Sequence, residues 1–263
     1  MEFQNLLYNK EDRVAIIAIN RPNVRNALSI ETGKEIIAAL NESSKDNEVR
    51  AIVITGTGSA FCSGVDLPQG ESILDMTPVE IREEIYSVFQ GVIRSIVEMP
   101  KPIIASVNGP AIGAGFDLCI SCDIRIASER AKFSEYFVRI GTLPGMGGMF
   151  FLPQLVGIGK ANELAFTGDI IDGIEAERIG LVNKVVPEDE LEEATRKFVN
   201  KLARGATKAI GMMKMGIRRG IGSNFSSELE FASFAQSVCL KTEDAREGFS
   251  SALEKRRPEF KGK

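Results

Sequence analysis

Residues 101–127 read Lys101-Pro-Ile-Ile-Ala-Ser-Val107-Asn-Gly-Pro-Ala-Ile-Gly113-Ala-Gly-Phe-Asp117-Leu-Cys-Ile-Ser-Cys-Asp123-Ile-Arg-Ile-Ala127. The apolar run from Pro102 to Val107 predicts a buried strand, and the glycines between Asn108 and Gly115 predict a loop. The segment from Phe116 to Cys122 then predicts a buried helix, and Asp123 to Ala127 a further strand. This order of elements is typical of an α/β protein.

A similar order occurs earlier in the chain. Val14 to Asn20 and Ala51 to Thr55 are β-branched runs that predict strands. Ser29 to Leu40 between them has helical spacing and begins at a predicted N-cap serine. A Gly-rich loop, Gly56 to Gly64, follows the second strand, and Thr77 to Glu98 predicts a long amphipathic helix. Because the pattern recurs after about fifty residues, the sequence predicts a repeated ββα-like α/β unit.

The pattern changes beyond Pro187, where no further strand is predicted. Helical patterns occupy Glu188 to Leu202, Thr207 to Gly220 and Ser227 to Ser237, and glycines separate them. We therefore predict a core over residues 1–187 and a helical C-terminal region over residues 188–263.

Composition narrows the class of protein. The chain has 263 residues, 44% of them hydrophobic, and a net charge of -4, which suits a compact soluble enzyme and argues against binding to nucleic acid. No leader or membrane-length apolar run is present, so a cytoplasmic location without membrane attachment is expected. The four cysteines lack paired metal-binding spacing, which predicts buried thiols and no metal site.

The chain contains no histidine. This absence excludes the Ser-His-Asp and Cys-His nucleophile systems and removes the most common general base in enzymes. Any acid/base chemistry must therefore use Asp, Glu, Lys, Tyr, Cys or backbone groups.

The two Gly-rich loops are candidates for binding an oxyanion. Each follows a buried strand, and the second opens a helix, so backbone N–H groups near Val65 and Ala114 can point at developing negative charge. The alternative is that the glycines serve only tight turns.

Ordered motifs over nearly the whole chain resemble the enoyl-CoA hydratase/isomerase (crotonase) family. The segments that carry the resemblance are Arg21-Pro22, Asn26-Ala-Leu28, Gly58-Ser-Ala-Phe-Cys-Ser-Gly-Val-Asp-Leu67, Lys101-Pro-Ile-Ile-Ala105, Asn108-Gly109, Gly113-Ala-Gly-Phe-Asp-Leu118, Cys122-Asp123, Ile140-Gly-Thr-Leu-Pro-Gly-Met-Gly-Gly148, Leu164-Ala-Phe-Thr-Gly168, Ala176-Glu-Arg-Ile-Gly-Leu-Val182, Glu247-Gly248 and Glu254-Lys-Arg256.

The resemblance implies a ββα superhelix with a C-terminal helical trimerisation region, assembled as a trimer or hexamer. It implies an acyl-CoA thioester substrate and no cofactor beyond the CoA moiety of that substrate. Val65 and Ala114 match the two oxyanion-hole donors of the family. The positions that match CoA-binding segments are Arg25, Ala27, Ala60, Asp66 and Leu67.

The chain departs from the family pattern at its acidic positions. Typical hydratases carry two glutamates, and the matching residues here are Asp117 and Phe137. Dienoyl-CoA isomerases have an Asp at the first position, but they also carry acids at the positions of Phe137 and Gly145. This pattern suggests a specialised member with one acid at the reacting carbon and an apolar wall opposite it.

Asp117 is the predicted acid/base, and a helix-capping role is the alternative. The helix dipole would lower its pKa and an apolar wall would raise it, so the sequence leaves the sign of the shift open. Glu135 is the favoured second group. Other candidates for the second group are Tyr136, Tyr86, Glu83 and Glu84, although Glu83 and Glu84 fit a solvated helix face better. The predicted substrate-pocket residues are Phe137, Tyr86 and Gly141.

Three functions follow from these features. The leading prediction is a lyase that adds water to a cyclic or conjugated dienoyl-CoA, because Phe137 would suit a bulky ring. The second is a double-bond isomerase that uses Asp117 to move a proton. The third is a non-catalytic CoA- or RNA-binding relative, supported by the missing glutamate and by the basic residues Lys208, Lys214, Arg218 and Arg219 on one predicted helix.

Overall fold

A six-stranded sheet forms the centre of the structure, a computed structural model that describes residues 2–263. Its strands are β1 (Leu6–Glu11), β2 (Val14–Ile19), β3 (Ala51–Gly56), β4 (Ile103–Val107), β6 (Ile124–Ser128) and β9 (Lys184–Val186), in that spatial order. Among the described strands of this sheet, β1 and β2 pair in antiparallel fashion and all other neighbours are parallel. A smaller sheet consists of β5 (Ala111–Ile112), β7 (Lys132–Ser134) and β8 (Ile171–Asp172).

The central strands are apolar on both faces because helices cover both sides of the sheet. Along the register, Ile16 lies beside Val53, and Val53 lies beside Ile104. The continuous β-branched runs in the sequence therefore correspond to fully covered parallel strands.

The helices of the first half of the chain are α1 (Ile30–Lys45), α2 (Leu67–Ile73), α3 (Pro78–Glu84), α4 (Gln90–Val97) and α5 (Ala114–Ser121). Helices α1, α4 and α5 contribute to the main core, whereas α2 and α3 have no buried residues. Ser29 caps α1 by accepting a hydrogen bond from the Thr32 N–H at 3.1 Å, as predicted. A π-helical turn, Ile85–Phe89, joins α3 to α4, so the long predicted helix is present with one wider turn inside it.

Three further helices follow the small β5–β7 pair, namely α6 (Gly148–Val156), α7 (Ile158–Thr167) and α8 (Gly173–Arg178). The C-terminal part contains α9 (Leu191–Ala203), α10 (Thr207–Gly220), α11 (Phe225–Cys239) and α12 (Glu243–Leu253). Leu191 and Val199 of α9 pack with Val53 and Ile104 on the second face of the sheet. The division at residue 187 stays a prediction, and the first helix beyond it completes the core.

The α/β class and the predicted strands are confirmed. The buried helix begins at Ala114 rather than Phe116, because Gly113, with a φ of 53°, turns the chain directly into α5. The periodicity of the sequence did not predict β1, α2, the smaller sheet, α6 to α8, β9 or α12. These elements are short or of mixed polarity, so their periodicity is weak.

Most basic residues of helix α10 make contacts within the fold. Lys214 Nζ lies 2.8 Å from Asp123 and donates to the carbonyl of Ile96, and Arg218 also pairs with Asp123 at 2.9 Å. Arg219 stacks over a phenylalanine ring of α11. The basic residues therefore do not form one exposed face, which removes the main support for the RNA-binding alternative.

Within residues 2–263, no helix combines the length and apolar content needed to cross a membrane. Three of the predicted buried thiols, Cys62, Cys119 and Cys122, are buried, whereas Cys239 is only partly so.

Candidate active site

The two Gly-rich loops lie against each other. The N–H groups of Phe61 and Cys62 donate to the Pro110 carbonyl, at 3.1 and 3.0 Å, and the Ile112 N–H donates back to the Cys62 carbonyl at 3.0 Å. A Cβ on Gly115 would overlap that same Cys62 carbonyl. Glycine at position 115 therefore lets the first turn of α5 approach the other loop closely.

Val65 and Ala114 present their N–H groups at this junction. Leu28 pairs with the first loop through the Gly64 carbonyl and the Asp66 N–H, which leaves the Val65 N–H between them unused. Within residues 2–263, neither the Val65 nor the Ala114 N–H donates to another protein group. A Cβ on Gly64 would lie 3.9 Å from the Ala114 nitrogen, so the two segments adjoin. This arrangement can hold an oxyanion between two backbone donors.

Asp117 lies in the first turn of α5, three residues after Ala114. Its side chain is fully buried, and its Oδ2 accepts a hydrogen bond from the Met146 N–H at 3.0 Å. Met146 belongs to the segment between β7 and α6. The acid is thereby held one helical turn from the second donor, as the sequence analysis predicted.

Glu135 meets Asp117 from the other side. It follows β7 directly, only 1% of its surface is exposed, and its carboxyl group adjoins that of Asp117. Glu135 Oε1 and Asp117 Oδ1 both border the point where Gly148 would carry a Cβ. The structure thus brings together two acids that are far apart in sequence.

Burial raises the pKa of both acids. For Asp117, loss of solvation is the largest cause, and the hydrogen bond from the Met146 N–H opposes it. For Glu135, loss of solvation is again the largest cause, and the neighbouring Asp117 raises its pKa further. The sequence left the direction of the Asp117 shift open, and in the structure burial raises its pKa above the ordinary value.

Phe137 forms an apolar wall next to this pair. Its half-buried ring packs against the core, and a Cβ on Gly113 would lie 3.8 Å from it. Gly113 is the residue before Ala114, so the ring lies beside the second donor. Phe137 supplies no carboxylate, and the acid that adjoins Asp117 is Glu135 instead.

The predicted CoA-binding residues lie around the first loop. Arg25 and Leu67 are exposed, whereas Ala27 and Ala60 are buried and offer mainly backbone. Asp66 is engaged in an ion pair with Arg21 at 2.7 Å.

Asn26 organises this region, and the sequence analysis did not single it out as a site residue. Its buried side chain donates to the carbonyls of Thr57 and Ala60 and accepts from the Arg21 N–H. It has a positive φ of 59°, which asparagine tolerates better than most residues. An asparagine directly before Ala27-Leu28 was the available signal.

The other predicted pocket residues lie farther out. Gly141 ends the short 3-10 helix Tyr136–Ile140 and is exposed, and Tyr86 is exposed with Arg94 stacked on its ring at 4.2 Å. Gln90, the first residue of α4, donates from Nε2 to the Gly145 carbonyl at 2.9 Å. The hydrogen bonds of Gln90 and of the Met146 N–H therefore position the Gly145–Met146 segment beside the acids. Neither residue was predicted from the sequence.

Comparison with known proteins agrees with this geometry. The enoyl-CoA hydratase/isomerase family profile matches residues 9–263. The chain belongs to this family. Its fold matches the crystal structure of an enoyl-CoA hydratase from Bacillus anthracis with a TM-score of 0.93 and 33% identity, over 99% of this chain and 100% of that one. The resemblance seen in the sequence and the crotonase-type fold are therefore confirmed.

Two curated relatives of this crotonase-family enzyme differ in activity. A short-chain-enoyl-CoA hydratase of Clostridium acetobutylicum is 39% identical over 98% of both chains. A trans-2-decenoyl-[acyl-carrier-protein] isomerase of Streptococcus mutans is 30% identical over 100% of both. The family thus includes a lyase and an isomerase at this level of similarity to the chain.

Proposed function

We propose that this crotonase-family enzyme adds water to an enoyl-CoA thioester through an enolate held by the N–H groups of Val65 and Ala114. The observation that carries this proposal is the pair of unused backbone donors one helical turn from the buried Asp117. The relative from Clostridium acetobutylicum, named a short-chain-enoyl-CoA hydratase, supports the same reaction.

The physical reason lies in where charge develops. When water adds to the β-carbon of a conjugated thioester, electrons move onto the thioester oxygen. Two donors already aimed at that oxygen stabilise the transition state more than the ground state. The N-terminus of α5 adds its positive dipole end at Ala114. Asp117, on the same turn, would act as general acid/base on the adjacent carbons or the attacking water.

For the substrate we propose a cyclic or conjugated dienoyl group. Phe137, beside Gly113, supplies an apolar surface where the family pattern has a carboxylate, and an aromatic face suits a flat, unsaturated acyl group. The CoA moiety would lie along Arg25, Ala27, Ala60, Asp66 and Leu67, with Arg25 free at the surface to meet phosphate. This mechanism calls for no cofactor beyond the CoA carried by the substrate.

A panel of aliphatic, aromatic-derived and cyclic enoyl-CoA thioesters in ¹⁸O-labelled water tests the proposal. We expect a product heavier by a whole water, with ¹⁸O incorporated, and the highest kcat/KM for a cyclic or dienoyl member. If a straight-chain enoyl-CoA is preferred, the assignment of the acyl group is wrong. If no member of the panel gains oxygen, hydration itself is wrong.

Double-bond isomerisation is the second candidate. The isomerase of Streptococcus mutans favours it, as does a single well-placed acid that can move a proton between two carbons. The same experiment separates the two reactions, because isomerisation exchanges hydrogen with solvent without gain of oxygen. A non-catalytic CoA-binding role would give binding without either change.

A further inference from the structure

The Glu135 carboxyl group adjoins that of Asp117. Within residues 2–263, neither of its oxygens accepts a hydrogen bond from an N–H or hydroxyl group, and the residue is 1% exposed. Asp117, in contrast, accepts from the Met146 N–H. The two acids therefore differ in the donors around them, although they share one buried space.

This difference fixes where a proton resides. Two carboxylates in contact and out of water cannot both be ionised without a large cost, so the pair retains one proton. Backbone donors favour the ionised form of Asp117, and Glu135 has none. The proton therefore resides on Glu135 and is donated to Asp117, which leaves the second Glu135 oxygen without a donor from the protein.

Within the described residues 2–263, no other charge competes for this pair. The titratable residues on the elements packed around it are engaged elsewhere, exposed or neutral. They are Arg94, which stacks on Tyr86; Arg139, paired with Asp169; Lys132, Tyr136 and Tyr86, which are exposed; and Cys119, where burial raises the pKa to about 12. Among charged groups, the acids therefore interact mainly with each other.

We propose that Glu135 is the second proton carrier of this active site and shares one proton with Asp117, in place of the carboxylate that position 137 lacks. The inference rests on the proposed hydration. It makes Glu135 a catalytic residue that touches the reacting atoms, and it gives the single proton a definite route.

Both acids transfer a proton during the addition of water. Asp117 takes a proton from water as the water oxygen bonds to the β-carbon, and the double-bond electrons move onto the thioester oxygen between Val65 and Ala114. Glu135 then gives its proton to the α-carbon as the enolate electrons return. The proton on Asp117 passes to the Glu135 carboxylate through their hydrogen bond, which restores the pair. One H and one OH are added.

Substitution with amides tests the assignment. Glu135→Gln keeps the size and an N–H donor toward Asp117 but cannot release a proton. We expect kcat to fall about 100- to 10,000-fold with little change in KM, as for Asp117→Asn. Glu129→Gln, at an exposed glutamate on the same part of the chain, should match wild type. A folded Glu135→Gln enzyme with wild-type turnover would overturn the proposal.

Infrared spectroscopy of the intact protein gives a readout that needs no substrate. At neutral pH the wild-type spectrum should contain the band of a protonated buried carboxyl group, which Glu135→Gln removes and Asp117→Asn retains. Persistence of the band in Glu135→Gln, or its absence from wild type, would contradict the shared proton on Glu135. This outcome is separable from failure of the proposed function, which appears only as absence of water addition by the wild-type enzyme.

Discussion

Gly148 leaves the space in which the two carboxyl groups meet. It is the first residue of α6, and a Cβ there would overlap both Asp117 Oδ1 and Glu135 Oε1. At Gly145, in the same segment, a Cβ would meet only Ile85 at an ordinary 3.8 Å. At the scale of single residues, the site therefore depends on the absence of a side chain at Gly148 as much as on the acids.

We expect Gly148→Ala to lower kcat about 100-fold, because the added methyl group must displace one of the acids. Gly145→Ala is the matched control and should retain near-wild-type turnover. Steady-state kinetics on the best thioester of the panel checks both variants. Equal activity of the two would mean that the carboxyl pair is not held where the reaction occurs.

Val65→Pro should lower kcat about 100- to 1,000-fold with a smaller effect on KM, because it removes one donor to the developing oxyanion. The Val65 N–H makes no hydrogen bond in the fold, so its loss breaks no pairing with Leu28. Val65→Ala keeps the N–H and should be nearly normal. Weaker binding with unchanged turnover in the proline variant would argue against the oxyanion role.

The raised pKa values of Asp117 and Glu135 also predict how stability depends on pH. Both acids bind protons more tightly in the folded than in the unfolded chain, so the contribution to stability is fully present below their ordinary values of 3.8 and 4.5. Above those values stability is lost as pH rises, by about 1.4 kcal/mol per pH unit for each extra proton held.

Urea unfolding between about pH 5 and about pH 9 measures this slope. Wild type should lose stability toward high pH, and Glu135→Gln should flatten the loss because its side chain does not titrate. Parallel slopes for the two proteins would contradict a pKa raised by burial at Glu135.

At the scale of elements, one carboxylate joins α10 to the sheet. Asp123, at the start of β6, accepts from the Ile103 N–H of β4 at 2.8 Å and pairs with Lys214 and Arg218 of α10. Lys214 is buried and also donates to the Ile96 and Lys101 carbonyls. The basic residues of this helix therefore dock it on the core.

Lys214→Met should lower the free energy of unfolding by about 3 kcal/mol, because it leaves a buried carboxylate and two carbonyls with fewer donors. Lys208→Met, at an exposed lysine of the same helix, should change it by less than about 0.5 kcal/mol. Urea titrations at one protein concentration compare the two. Equal effects would show that the buried ion pair does not anchor α10.

At the scale of the whole molecule, the C-terminal helices expose large apolar side chains. Ile217, Phe225 and Leu253, on α10, α11 and α12, are 73%, 78% and 85% exposed. Exposed apolar side chains on three consecutive helices are typical of an interface. We propose that copies of the chain cover them, as a trimer or a pair of trimers.

Sedimentation at micromolar concentration should therefore show a trimer or hexamer. Phe225→Glu should shift the distribution toward monomer, because it places a charge in the expected interface. Leu7→Glu, on β1 and outside these helices, should leave it unchanged. A wild-type protein that sediments only as monomer would refute the proposed assembly.

The sequence by itself determined the order of strands, Gly-rich loops and helices, the Ser29 cap and the identity of the family. These features depend on local periodicity and on turn residues, which are readable along the chain. It also pointed to Ala114 and Asp117, because a donor at a helix start and an acid in the same turn are neighbours in sequence, and to Val65 through the first Gly-rich loop and the family resemblance.

Only the tertiary structure decided the partner and the pKa direction of Asp117, the direction of the Glu135 side chain and the burial of Lys214. Each depends on segments that are distant in sequence, such as the Met146 loop beside α5 and Asp123 beneath α10. Periodicity does not encode how such segments meet. Loss of solvation, which raises the pKa of both acids, arises only when the surrounding elements have closed around them.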